Sequence, residues 1–259
     1  RLQRRGPTFS SSGVPYPATQ FIREHSEVLT AVLTHHRSEV VWAGDTFNKT
    51  KVAFVSANWF NELGYSAALG RVFSEGIDEQ GDADPVVVVS HDFWRTRLGS
   101  DPGIVGATLR LNDRVATVIG VAPPLFPDLD LQDPQMWLAI HQIDYFEPGN
   151  SFKDAWGDNN TELYARVRPD VSPKAATDAL RLTLAGLAEA RPNDFKADEW
   201  LEAATAEGRF LHARARQKLL AVAALFGGLT LLVLLVASAN LANLVLSHAL
   251  GRMREFSVR

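Results

Sequence analysis

The sequence predicts an α+β domain followed by one transmembrane helix, and three observations carry that reading. First, Leu219 to Ser247 is a run of 29 residues without a charge, set between basic flanks. As a helix rising about 1.5 Å per residue it reaches about 43 Å, enough to cross the roughly 30 Å hydrocarbon core of a bilayer with tilt to spare. Core helices of large soluble proteins rarely hold so long an uncharged run. Second, charge divides the chain at the same place. Residues 1–211 hold 20 Lys+Arg and 29 Asp+Glu, a net of −9, whereas residues 212–259 hold six basic residues against the single acid Glu255, a net of +5. Third, strand-turn-helix patterns at both ends of the extramembrane part enclose a β-rich middle, which makes the α/β part discontinuous around an insert.

The first helix is expected after Pro15-Tyr16-Pro17, where Phe21, Val28, Leu29 and Val32 recur at helical spacing behind a proline suited to a first turn. Val40–Trp42 and Lys51–Val55 read as strands, and Ala57–Gly64 as a short amphipathic piece with Gly64 at its C-terminal cap. The acidic stretch Glu75–Asp84 reads as a solvated loop. Pro85–Val89 reads as a buried strand feeding a helix at Asp92–Arg95 that stops near Gly99. Thr108–Leu111 and Ala116–Val121 read as strands joined through Asn112-Asp113-Arg114, and Met136–Ile140 as another strand. Leu163–Arg168 alternates as a strand does. Ser172 and Pro173 then cap a helix whose Ala176, Leu180, Leu184 and Leu187 line one buried face.

Chemistry-bearing motifs are largely missing. The acidic extramembrane part would repel phosphate backbones and has no basic stripe with interleaved aromatics, so nucleic acid is not a partner. Without cysteine there is no disulfide framework and no thiolate ligand or nucleophile. No GxxxxGK[ST] loop is present to cradle ATP, and no HExxH or G-x-S-x-G motif occurs. Ser90-His91-Asp92 makes a poor triad, because neighbouring side chains of an extended strand point to opposite faces. His35-His36 reads as a surface or turn pair. Asp128-Leu129-Asp130-Leu131-Gln132-Asp133 lacks the glycine and distal glutamate of an EF-hand loop and reads as a solvated acidic loop. The six tryptophans, Trp42 to Trp200, are too scattered for a stacking platform and read as packing anchors. The expected catalytic, cofactor and metal residues of this chain are none.

The order of segments resembles the periplasmic core domain of macrolide-exporter-type permeases of the ABC superfamily, including the duplicated orphan permeases of bacteria. The resemblance is carried by Tyr16-Pro17, Val55–Gly64, Ala68-Leu69-Gly70-Arg71-Val72-Phe73, Val89–Trp94, Asp101–Gly106, Leu109–Asn112 and Val118–Pro124. Ala237–Leu244 and Arg252–Arg259 are similar to the family's second transmembrane helix and its cytoplasmic exit. The basic residues Arg214, Arg216 and Lys218 before the apolar run balance Arg252, Arg254 and Arg259 after it, so the positive-inside rule gives a tie. The resemblance resolves it: residues 1 to about 211 would be periplasmic or extracellular and Arg252 onward cytoplasmic, in a bacterial inner membrane.

The resemblance also implies a ferredoxin-like, porter-type α/β subdomain at about 14–60 and 160–211, with a β-rich insert at about 61–159. Residues 1–13 would be a basic lead after a first transmembrane helix not included here, 212–218 a basic juxtamembrane segment and 248–259 the cytoplasmic start. The opening Arg1-Leu2-Gln3-Arg4-Arg5 has no apolar segment behind it and reads as the start of an excised fragment rather than a signal peptide.

Within the apolar run, Asn240 and Asn243 lie three apart, where an unpaired amide in hydrocarbon is costly, so they are expected to hydrogen-bond a neighbouring helix. Ala223 with Gly227, and Ala224 with Gly228, are small residues four apart that permit close helix approach. By resemblance the chain is a noncatalytic permease subunit, with ATP bound by a cytoplasmic partner subunit and none in this chain. A second permease subunit or half, a periplasmic protein and membrane lipid complete its expected partners. The competing expectation is a membrane-tethered interaction or sensory module without transport.

Overall fold

A computed structural model describes residues 1–8, 10–45, 49–80, 83–124, 126, 129, 134–149, 151–203 and 223–243. The chain forms two compact units, Arg1–Arg209 and Phe210–Arg259. In chain order the first unit contains β1 (Leu2–Arg5), β2 (Ser10–Ser11), α1 (Tyr16–His25), β3 (Leu29–Val41), β4 (Lys49–Val55), α2 (Trp59–Glu62), β5 (Leu69–Gly70) and α3 (Glu75–Asp78). It continues with β6 (Val86–Val89), α4 (His91–Arg97), β7 (Thr108–Leu111), β8 (Arg114–Val121), β9 (Met136–Ala139), α5 (Ile143–Phe146), β10 (Glu162–Val167), α6 (Pro173–Ala190) and β11 (Trp200–Ala203). The second unit contains α7 (Ala223–Asn243). Mixed α and β elements and one long apolar helix are the fold class that the sequence predicts.

Among the described residues all the strands join in one sheet of order β11-β1-β10-β3-β4-β9-β6-β8-β5, with β2 beside β1 and β7 beside β8. Strands from the two ends of the unit occupy one side of the sheet and those between Leu69 and Ala139 the other, meeting at the parallel pair β4–β9. On the second side the β7–β8 tip reaches back to β3, where Trp42 pairs with Leu111 and the Ala43 N–H donates to the Arg110 carbonyl at 3.0 Å. This half therefore curls around a core that it shares with β4, built on Phe54, Met136, Leu138, Val87, Val118 and Leu111. A second cluster, with Trp59, Phe60, Phe73 and Trp137, lies between the opposite face and α2. A third, with Ile22, Leu163, Leu180, Leu184 and Leu187, fills the space under α1 and α6.

Several local expectations meet their physical cause here. The Ser172 hydroxyl accepts the Ala175 N–H at 3.2 Å, Pro173 starts α6, and the predicted Ala176, Leu180, Leu184 and Leu187 are its buried face. Asn112 and Asp113 both adopt positive φ, 48° and 61°, the left-handed pair that a two-residue hairpin requires. Gly64 follows α2 at φ 78°, as a residue past a helix end does. Gly120 has a different role: a Cβ there would lie 2.2 Å from the Arg71 carbonyl oxygen, so the edge segment could not cross β8 beside any larger residue.

Four expectations need correction. The first helix stops at His25, and Leu29 to Val41 is a 13-residue strand whose β-branched residues suit a half-buried pleat. The basic lead is no lead: Leu2–Arg5 is β1, paired with both β10 and β11, and Leu2 is buried. The stretch Glu75–Asp84 opens with α3, whose Asp78 is buried and binds Arg71 through two bonds of 2.5 and 2.8 Å. His35 and His36 are not at a surface or turn but buried within β3. The acidic residues Asp128, Asp130 and Asp133, the basic segment 212–218 and the tail 248–259 lie outside the described residues.

Candidate functional site

Helix α7 is 21 residues long with a mean hydropathy of 2.1, enough to cross a membrane by length and composition, and none of it is buried within the protein. Leu225 and Phe226, 72% and 65% exposed, would be costly in water and stable against acyl chains or other helices. Its backbone is internally satisfied, and the Thr230 hydroxyl donates to the Phe226 carbonyl at 2.9 Å. The sequence-selected residues Ala224, Gly228, Asn240 and Asn243 all fall on α7. At about 100° per residue the two amides lie about 60° apart, and the midpoint of Ala224 and Gly228 lies about 110° away from theirs. The helix thus carries an amide face and a separate small-residue face, suited to different neighbours.

In the first unit, several buried titratable groups are tied into structural contacts. Glu162 is buried and accepts from Arg1 at 2.6 Å and Arg37 at 2.5 Å, while its other oxygen accepts the Tyr164 hydroxyl at 2.9 Å. Arg4 is buried, pairs with Glu199 at 2.6 Å and lies over the Phe195 ring. His36 sits between Phe54 and Phe152 with Nδ1 3.1 Å from the Asn160 carbonyl oxygen, and burial lowers its pKa. Ser90, His91 and Asp92 have three unrelated roles. Ser90 caps α4, His91 packs against Trp94 and Asp92 pairs with Arg95 at 2.9 Å. Among the described residues no three His, Asp or Glu side chains converge as a metal site.

Two surface hollows stand out. A small cleft of about 140 Å³ lies over β3 and β4, lined by His35, Arg37, Glu39, Lys51 and Pro134. A larger groove of about 370 Å³ runs between the end of α1 and α6, lined by Phe21, His25, Val28, Ala179, Leu182, Thr183 and Gly186. Neither is among the sequence-predicted sites. The signal for the second was present: Leu182 falls out of phase with the buried Leu180, Leu184 and Leu187, and a glycine interrupts the same helix four residues later.

The family model of the MacB-like periplasmic core domain matches residues 3–183. This chain belongs to that family. It carries the MacB-like periplasmic domain of ABC-type transporter permeases, with one candidate membrane helix after it among the described residues. Solved structures agree on the fold. A domain assigned to a permease protein from Porphyromonas gingivalis superposes with a TM-score of 0.56 at 19% identity, covering 80% of this chain and 92% of that one. The periplasmic region of MacB from Actinobacillus actinomycetemcomitans gives 0.54 at 14% identity, over 77% and 86% of the two chains. The extracellular domain of the noncanonic ABC-type transporter YknZ from Gram-positive bacteria gives 0.53 at 10% identity, over 78% and 100%. Among curated proteins no sequence matches.

Proposed function

We propose that this chain is a noncatalytic permease subunit of an ABC-type export or mechanotransmission complex. ATP hydrolysis in a cytoplasmic partner subunit displaces α7, and the helix passes that displacement to the MacB-like domain on the outer side of a bacterial inner membrane. The observation that carries the reading is the family match over residues 3–183 with the apolar helix Ala223–Asn243 later in the sequence. The physical case supports it: a sheet continuous from β11 to β5, tied by the buried or half-buried pairs Arg1–Glu162, Arg4–Glu199 and Arg71–Asp78, can move as a body and is suited to transmit force. The amide face of α7 would bind a neighbouring permease helix and the small-residue face would let a second approach closely.

The test is co-purification of the full-length protein with candidate ATPase subunits, with ATP turnover measured with and without it. The reading expects a stable complex with altered turnover. A protein that binds no ATPase but retains an envelope partner would instead be the tethered interaction module.

A further inference from the structure

We propose that the exposed face of α6 is a self-association surface, on which Leu182 of one copy seats in the hollow beside Gly186 of a second copy. This goes beyond the permease reading and does not rest on it. Leu182 is 77% exposed, more than any other large apolar side chain described in the protein. Four residues on, Gly186 occupies a helix interior, where glycine costs about 1 kcal/mol relative to alanine. Nothing among the described residues asks for it: an added Cβ would meet only the Phe21 ring there, at 4.0 Å, an ordinary contact. The absent side chain instead deepens the 370 Å³ groove.

The lining residues of α6 are Ala179, Leu182, Thr183 and Gly186, spaced i, i+3, i+4 and i+7. That is the four-residue hole which a side chain from a facing helix fills in knobs-into-holes packing. Knob and hole therefore lie on one patch, and a two-fold axis near Leu182 uses both twice, which is the self-complementarity an isologous dimer demands. Charge agrees with an antiparallel crossing, because Lys174 near the start of one α6 would approach Glu189 near the end of the other, at both ends of the contact.

The native chain contains no cysteine, so one introduced thiol reports one position. The whole chain, in detergent and in vesicles, is made as Leu182→Cys and, for comparison, as Asp92→Cys, which stands at an exposed site on α4. Mild oxidation should cross-link Leu182→Cys about tenfold or more faster than Asp92→Cys, since only the first is held against its counterpart. Adding Gly186→Trp to Leu182→Cys fills the hole without loss of helix propensity. It should bring cross-linking down to the Asp92→Cys rate, with the thermal melt of the domain retained. Equal rates at the two thiols, or a Leu182→Cys rate that Gly186→Trp leaves unchanged, would overturn the proposal.

Discussion

The outer domain and helix α7 use apolar residues in opposite ways. In the domain, Phe54, Trp59, Phe60, Leu138 and Leu163 are almost wholly withdrawn from water, and the buried charges Arg4, Asp78 and Glu162 are paired. In α7 the side chains are exposed along the whole helix, and internal hydrogen bonds join its backbone and the Thr230 hydroxyl. The first region makes its stability from its own contacts, whereas the second acquires stability only from surroundings of lipid or other helices. Substitutions should therefore separate cleanly between them. The largest effect is expected at Phe54→Ala, which deletes a fully buried ring and should cost the domain about 3–5 kcal/mol in chemical denaturation. Leu232→Ala in α7, 58% exposed, should leave that denaturation unchanged.

A second pair tests charge in the same way. Asp78 is buried and holds both Arg71 and the Ser74 N–H, so Asp78→Ala should lower stability by about 1–3 kcal/mol, a figure reduced from that of a wholly buried pair because Arg71 is 43% exposed. Asp170 makes a similar ion pair with Arg168 on the surface, and Asp170→Ala should produce no detectable change in the melt. In the helix the amides should matter instead. Replacing Asn240 and Asn243 together by leucine should weaken helix association about tenfold in a membrane dimerisation assay, corresponding to 1–2 kcal/mol, while the domain melts as before.

The smallest effect is in pH. Burial lowers the pKa of both His36 and His141 below the ordinary histidine value, so folding favours their neutral forms. The unfolded chain binds protons more readily. The stability they contribute is then complete above about pH 6.5 and is lost as pH falls toward their folded values. His36→Gln should flatten the decline in domain stability between neutral and mildly acidic pH without affecting α7.

What could be read from sequence follows how local each cause is. The buried face of α6, the Ser172 cap and the Asn112-Asp113 hairpin depend on residues a few positions apart, and their signals survive in any short window. Strand β1 does not. Its partners Trp200–Ala203 lie at the other end of the domain, and its inward-pointing Arg4, paired with Glu199, replaces the apolar residue that would have marked the alternation. Asp78 looked like part of a solvated acidic run because its partner Arg71 precedes that run. His35 and His36 looked exposed because a helix was expected to run into the segment that is in fact β3. For the candidate site, α7 was legible as an uncharged apolar run, and the four residues selected on it were chosen by spacing. The α6 side of the groove was marked by the out-of-phase Leu182 and by Gly186, whereas its other wall, Phe21 to Val28, needed the placement of α1 beside α6, which no local pattern carries.

The central claim is that energy spent on one side of the membrane moves the domain on the other. The direct measurement is energy transfer between a fluorophore on Asp92→Cys and acceptor lipids, in vesicles holding the full-length protein and its ATPase subunit. A shift in transfer on adding ATP, abolished when the ATPase is hydrolysis-deficient, is the predicted result. Unchanged transfer in a complex that is turning over ATP would contradict the account.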